Sequence, residues 1–162
     1  MISIRDADVA DLDALVSIRN THDLFIKYLR EAEEIGTRFL VCVQDDRVMG
    51  FGRLKLRQNL HGVTNKNRPT ISDLYVAPHL RSRGIGSALI AVMEDMAASL
   101  GYTRIYMGVD PIENPRALAL YQRLGYIPLQ KEPYLARGTF HDESGNVSER
   151  SYWRVDLVKS LT

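Results

Sequence analysis

RSRGIGSALIAVME, residues 81–94, sets two arginines and two glycines directly ahead of a stretch with helical periodicity. Ile85, Leu89, Met93, Met96 and Leu100 fall on one side of that helix, and Gly101 supplies a stop. Glycine beside or inside a helix costs roughly 0.5–1 kcal/mol relative to alanine, so Gly84 and Gly86 at the entrance need a reason. A helix start exposes unpaired N–H groups and the positive end of the helix dipole. Without side chains at 84 and 86, an anion such as phosphate can approach the main chain closely. Arg81 and Arg83 add charge and fork-shaped donors. A Walker A loop is excluded because no Gly-Lys-Ser/Thr ending follows. A dinucleotide fingerprint is excluded because Leu89 stands where a third small residue is needed. The plain alternative is a glycine-containing turn with incidental arginines.

Outward from this stretch, the chain alternates strand and helix. TISDLYVAP reads as a strand ending at Pro78, and TRIYMGV as the strand after the helix. In NPRALALYQRLGY, Asn114 caps a helix, Pro115 fits its first position and Gly125 ends it. Upstream, ISIR is a short strand, and Asp6 or Asp8 caps a helix carrying Val9, Leu12, Leu15 and Val16. HDLFIKYLREAEE forms a second helix stopping near Gly36. RFLVCVQ and RVMGFGRLKLR are strands joined by a tight turn at Asp45-Asp46, and residues 58–69 read as a polar loop. A short strand from Tyr126, a polar hairpin-like segment at FHDESGNVSER and a final strand SYWRVDLV complete the chain. This order is that of a layered α/β domain.

The chain's 162 residues favour one domain spanning 1–162, and its 45% hydrophobic and 25% charged residues mark an ordinary globular protein. A formal net charge of +1 argues against general binding to nucleic acid or an anionic membrane. A lone cysteine, Cys42, within FLVCV reads as a small buried hydrophobe in a reducing compartment. The N-terminus has no apolar signal core and no segment is long enough to span a bilayer, so a cytoplasmic location is expected. His22, His61, His79 and His141 lack metal-ligand spacing, and no metal is expected.

LYVAPHLRSRGIGSALI resembles the acyl-CoA-binding motif of the GCN5-related N-acetyltransferases, the GNAT superfamily. Arg81, Gly84 and Gly86 occupy its Arg/Gln-x-x-Gly-x-Gly/Ala signature. NPRALALYQRLGY is similar to the family's second cofactor motif, through Asn114, Ala117, Tyr121 and Gly125. The resemblance implies a mixed, mostly antiparallel sheet of about seven strands flanked by helices, with a central parallel pair that splays apart. The pantetheine arm of acetyl-CoA, the co-substrate, would enter between the splayed strands and pair with the backbone of Leu74, Tyr75 and Val76. The amides of Arg81, Ser82, Arg83, Gly84, Ile85, Gly86 and Ser87 would hold its diphosphate.

The implied reaction is direct attack of an amine on the thioester in a ternary complex, without a covalent acyl-enzyme. An aliphatic amine with a pKa near 10.4 is unprotonated in roughly one molecule in a thousand, a deficit of about 4 kcal/mol. A base acting through water, or desolvation, recovers part of it. By the resemblance, the Val76 N–H is the oxyanion donor. Tyr121 is the hydrogen-bond donor or acid toward the departing thiolate, unless it is only a core aromatic. Complete proton transfer from a phenol near 10 to a thiolate near 8.5 is uphill by ~2 kcal/mol, which favours hydrogen bonding.

Asp73 is the candidate near the acceptor; it binds a cationic substrate, orients a water or accepts local hydrogen bonds. Ser72 stands where polyamine acetyltransferases carry a second acid, which weakens that parallel. Glu113 reads as solvated. Arg53, Lys55 and Arg57 read as a solvated or salt-bridged strand face rather than a site for an acidic substrate, and Tyr134, Tyr152 and Trp153 as packing or as lining for an acceptor pocket. The expected acceptor is a primary amine on a small molecule, such as a polyamine-like, amino-acid-like or aminoglycoside-like compound. Acetylation of protein lysines or N-termini, or a silent acyl-CoA-binding regulatory domain, are the alternatives. The expected assembly is a monomer or homodimer.

Overall fold

The structure, a computed structural model, describes residues 1–34, 37–56, 68–142 and 144–161. Strands β1 (Ser3–Asp6), β2 (Arg38–Gln44), β3 (Arg47–Lys55) and β4 (Thr70–Val76) run antiparallel to one another in that spatial order. β5 (Arg104–Val109) joins β4 in parallel, and β8 (Val147–Ser160) lies antiparallel on its far side. β8 also carries β6 (Ile127–Pro128) and β7 (Tyr134–His141). The result is a mixed sheet of eight strands among the described residues, one more than expected.

Among the described residues four α-helices flank it: α1 (Leu12–Ile18), α2 (His22–Glu34), α3 (Ile85–Ser99) and α4 (Pro115–Arg123). None is long and apolar enough to cross a membrane.

The local signals explain these boundaries. Asp8, not Asp6, caps the first helical turn, accepting from the Ala10 amide while Asp11 reaches back to the Asp8 amide. Asp45 and Asp46 have φ of 51° and 61°, so both central turn positions are left-handed and match the twist of the β2–β3 hairpin. Asn114 takes the cap position of α4, but its side chain makes no cap hydrogen bond. Asp110 instead accepts from the amides of Ile112 and Glu113 ahead of the helix. Leu100 lies one residue beyond α3 and is 59% exposed, so Ala97 completes the buried stripe in its place.

Two apolar layers sandwich the first half of the sheet. Leu40, Cys42, Met49 and Leu54 pack with α3, whereas Phe39, Val41, Val48 and Phe51 pack with α1 and α2. The period-2 alternation of a strand sends neighbours to opposite faces, and both faces are covered. FLVCV therefore reads as a continuous apolar run, with Cys42 fully buried. Each large side chain so buried contributes roughly 1.5–3 kcal/mol.

The same covering decides between the solvated and the salt-bridged reading of Arg53 in favour of the second. It shares the face of Phe51, is only 5% exposed, pairs with Glu31 of α2 and stacks 3.8 Å over the Tyr28 ring. Arg57 and most of the 58–69 loop lie outside the described residues.

Candidate active site

The parallel pair at the centre is short. β4 and β5 are in register only at Thr70–Tyr106 and Ile71–Met107; beyond these the strands separate, leaving the remainder of β4 without a neighbour on that side. A bulge sharpens the separation. Phe51 faces Tyr75 and Arg53 faces Ser72, so Asp73 and Leu74 together oppose the single residue Gly52. Asp73 takes the extra residue's strain, with φ of 48°. Past the bulge, the Ala77 amide donates to Met49 across β3 at 2.9 Å. Antiparallel ladders alternate bonded and outward pairs, so the N–H and C=O of Val76 point the other way, into the opening between β4 and β5.

The loop that follows is shaped to present amides. Ser82 and Gly84 have φ of 66° and 85°, and Gly84 is the cap of α3. Among the described residues, the amides of residues 82–87 find no hydrogen-bond acceptor. No protein atom lies within 4 Å of a Cβ placed on Gly84, so backbone conformation and not crowding selects glycine there. A Cβ on Gly86 would make only ordinary contact with Val76, at 3.9 Å. The chain's own packing thus demands no glycine at 86, whereas close approach of an anion does.

Arg81 does different work from its neighbour Arg83. Its Nε donates to the Val76 carbonyl at 2.9 Å and its guanidinium lies 5.2 Å from the Tyr75 ring. It braces the loop against the end of β4, while Arg83 stays exposed.

From the other wall, α4 contributes Ala117 and Tyr121, both packed against the core layer that includes Leu74 and Val76. The Tyr121 ring meets Tyr126 edge-on at 6.5 Å. Its hydroxyl makes no hydrogen bond among the described residues, and burial pushes its pKa above the ordinary phenol value. It is therefore a poor acid and an available hydrogen-bond donor.

On the α1–α2 face of the sheet lies a cleft of about 670 Å³, bounded by Arg19, Lys27, Lys55 and Ser72 and by Phe140 and His141 of the β7–β8 hairpin. Asp73 is on its wall but already engaged. Its two oxygens accept from Arg19 Nη1 and Nη2, both at 2.8 Å, and from the Tyr28 hydroxyl at 2.6 Å. Desolvation raises its pKa, but hydrogen bonds and charge from Arg19, with help from Tyr28 and Arg53, outweigh it and hold the carboxyl below the usual range. The same carboxylate, after burial, pushes the Tyr28 phenol up.

Of the two readings of Tyr134, Tyr152 and Trp153, packing and pocket lining, the second finds no support, because none of them lines this cleft. The Tyr134 hydroxyl donates to Asp156, the Tyr152 hydroxyl accepts from Arg154, and Trp153 is 46% exposed. The hairpin faces the cleft instead through Thr139, Phe140 and His141. Among the described residues no cluster of three or more His, Cys, Asp or Glu side chains is placed to hold a metal.

Sequence reading missed Arg19, Tyr28 and the pair Gly108–Arg154. A Cβ on Gly108 would collide with the Arg154 guanidinium, which crosses β5 there. None of these residues carries a local pattern; only their meeting across the sheet marks them.

This architecture recurs in known proteins. The chain superposes over its full length on 95% of the yncA protein of Salmonella typhimurium, solved with its cofactor acetyl-CoA, at a TM-score of 0.74 and 20% identity. An N-acetyltransferase from Staphylococcus aureus gives a TM-score of 0.77 at 18% identity, covering all of this chain and 99% of that one. In sequence, the uncharacterized N-acetyltransferase YhfO of Bacillus subtilis is 25% identical over 138 residues, 77% of this chain and 89% of that protein. An uncharacterized N-acetyltransferase of Methanocaldococcus jannaschii is 29% identical over 102 residues, 63% of this chain. That match spans 43% of the archaeal protein's length. A profile of the family described as acetyltransferase (GNAT) matches residues 3–126, both cofactor motifs included, and the chain belongs to that family.

Proposed function

We propose that the chain is a single-domain, acetyl-CoA-dependent N-acetyltransferase that acetylates a primary amine on a small molecule by direct attack in a ternary complex. The observation that carries this reading is the run of acceptor-free amides at residues 82–87 beside the opening where the Val76 N–H points outward. The amides and the dipole of α3 hold the diphosphate of acetyl-CoA. The exposed backbone edge at Leu74, Tyr75 and Val76 pairs with the pantetheine arm as an added strand would.

The amine nitrogen attacks the thioester carbon from the α1–α2 side. The Val76 N–H stabilises the developing oxyanion. As the carbon–sulfur bond breaks, the attacking nitrogen releases its extra proton to water in the cleft, and the Tyr121 hydroxyl donates a hydrogen bond to the departing thiolate. Its raised pKa favours this role over complete proton transfer.

Asp73 is a positioning residue in this account and not the base. A carboxylate holding three hydrogen bonds, with its pKa lowered, is a weak proton acceptor. The cleft itself favours the neutral amine. Lys27, Arg53 and Lys55 surround the acceptor with positive charge, and like charge together with desolvation lowers an amine's pKa.

The test is a screen of small amines with acetyl-CoA, following coenzyme A release and identifying the product by mass spectrometry. The reading predicts one class of amine carrying one added acetyl group. Saturable acetyl-CoA binding with no acetylated small amine, or acetylation confined to polypeptides, would overturn it.

A further inference from the structure

The charges lining the cleft do not balance. Arg19 is neutralised by Asp73. Arg53 and Lys27 share one carboxylate, Glu31, with Lys27 at 3.9 Å. Lys55 makes no ion pair among the described residues, although it is half-buried in the cleft wall. Desolvation and the neighbouring Arg53 push its pKa down, and the charge of Glu31, already shared by Arg53 and Lys27, only partly offsets them.

Arg154 is close enough for its charge to act on Lys55. Its Nε is committed to Asp156 and its Nη1 to the Tyr152 hydroxyl, while Nη2, held over Gly108, has no partner among the described residues. The chain immediately after Lys55 brings no anion, since residues 56–69 contain no Asp or Glu. Asp23, the other acid on the cleft, is solvent-exposed and bonded to His22.

Burying a charge is costly unless it is paired, and a lysine with free donors on a cleft wall is placed to take its partner from a ligand. We propose that the acceptor is a primary amine that also bears a carboxylate, as in an amino acid, and that this carboxylate binds the Lys55 ammonium. This rests on the transferase reading above and refines it. A polyamine is the opposite case, because its second ammonium would enter a cleft already carrying excess positive charge.

The experiment compares amino acids, including 4-aminobutyrate, with their decarboxylated amines and with spermidine as acceptors for the full chain with acetyl-CoA. The carboxylate-bearing members should be favoured at least about tenfold in kcat/KM, the size of one charge-assisted hydrogen bond. Lys55→Met should raise KM for the favoured acceptor about tenfold, while KM for its decarboxylated amine changes less than about twofold. Lys55→Arg should restore KM.

Equal or better use of decarboxylated amines or spermidine, or an unchanged KM in Lys55→Met, would overturn the proposal while leaving the transferase reading intact. Acetyl-CoA binding with no turnover of any panel member would overturn it as well. Failure of the wild-type chain to bind acetyl-CoA by calorimetry would remove the transferase reading, and this inference with it.

Discussion

Arg19 and Asp73, 54 positions apart, meet in a two-point ion pair with both N–O distances at 2.8 Å. The pair ties the end of α1 to the bulge of β4, past the last residues at which β4 is in register with β5. Arg19 is fixed further by aromatic rings, its guanidinium carbon lying 4.8 Å from Phe51 and 5.2 Å from Tyr75. One contact therefore couples the helices that wall the cleft to the strand beside the opening.

Arg19→Met should cost about 3 kcal/mol of stability, the lower end of what breaking a buried pair from one side costs. Asp73 keeps some access to water, which places the effect there. Asp73→Asn should raise the acceptor KM but leave the shape of the kcat–pH profile unchanged, because the carboxylate is not the base. A profile that loses its acidic limb in the variant would return Asp73 to that role.

The same carboxylate sets an acid-side stability loss. Its pKa is lower folded than unfolded, so its contribution is complete above the unfolded value of about 3.9 and disappears as pH falls through the folded value. Urea unfolding from about pH 7 to about pH 3 should show the gap between wild type and Asp73→Asn constant at first and then closing. A gap that widens toward acid would contradict the assignment.

Tyr121→Phe keeps the ring against Tyr126 and removes only the hydroxyl, which supports no other described contact. Stability and acetyl-CoA affinity should hold, while kcat falls about tenfold to hundredfold, or ~1.4–2.7 kcal/mol of transition-state stabilisation. An undiminished kcat would leave Tyr121 as a core aromatic.

What the sequence disclosed and what it withheld divide along physical lines. Gly84, Pro115 and Gly125 act through local backbone geometry, so both segments were legible as helix entrances and exits, and the family resemblance made them cofactor motifs. The helix and strand order was equally legible, because burial on one or two faces writes its own period. Whether the face of Arg53, Lys55 and Arg57 is solvated or salt-bridged stayed open, because the alternation looks the same whether it meets water or α2. Arg19, Tyr28 and Arg154 matter through partners brought close by sheet order and bulge, which no single segment encodes.

Gly108→Ala tests the acceptor side without touching the cofactor loop. The added methyl displaces the Arg154 guanidinium and disturbs its bonds to Asp156 and Tyr152. Overpacking of this kind costs about 1–3 kcal/mol. Acceptor KM should rise while acetyl-CoA affinity stays unchanged; a parallel loss of both would place Arg154 nearer the cofactor than the account allows.

Calorimetric titration of acetyl-CoA into wild-type chain and Gly84→Val bears most directly on the anion-holding loop. Valine at a φ of 85° is strained by about 1–3 kcal/mol and puts a branched side chain where the diphosphate must approach. The account predicts saturable binding by the wild type and a loss of at least about a hundredfold, ~2.7 kcal/mol, in a variant that keeps its circular dichroism. Equal affinity in the two folded proteins would contradict it.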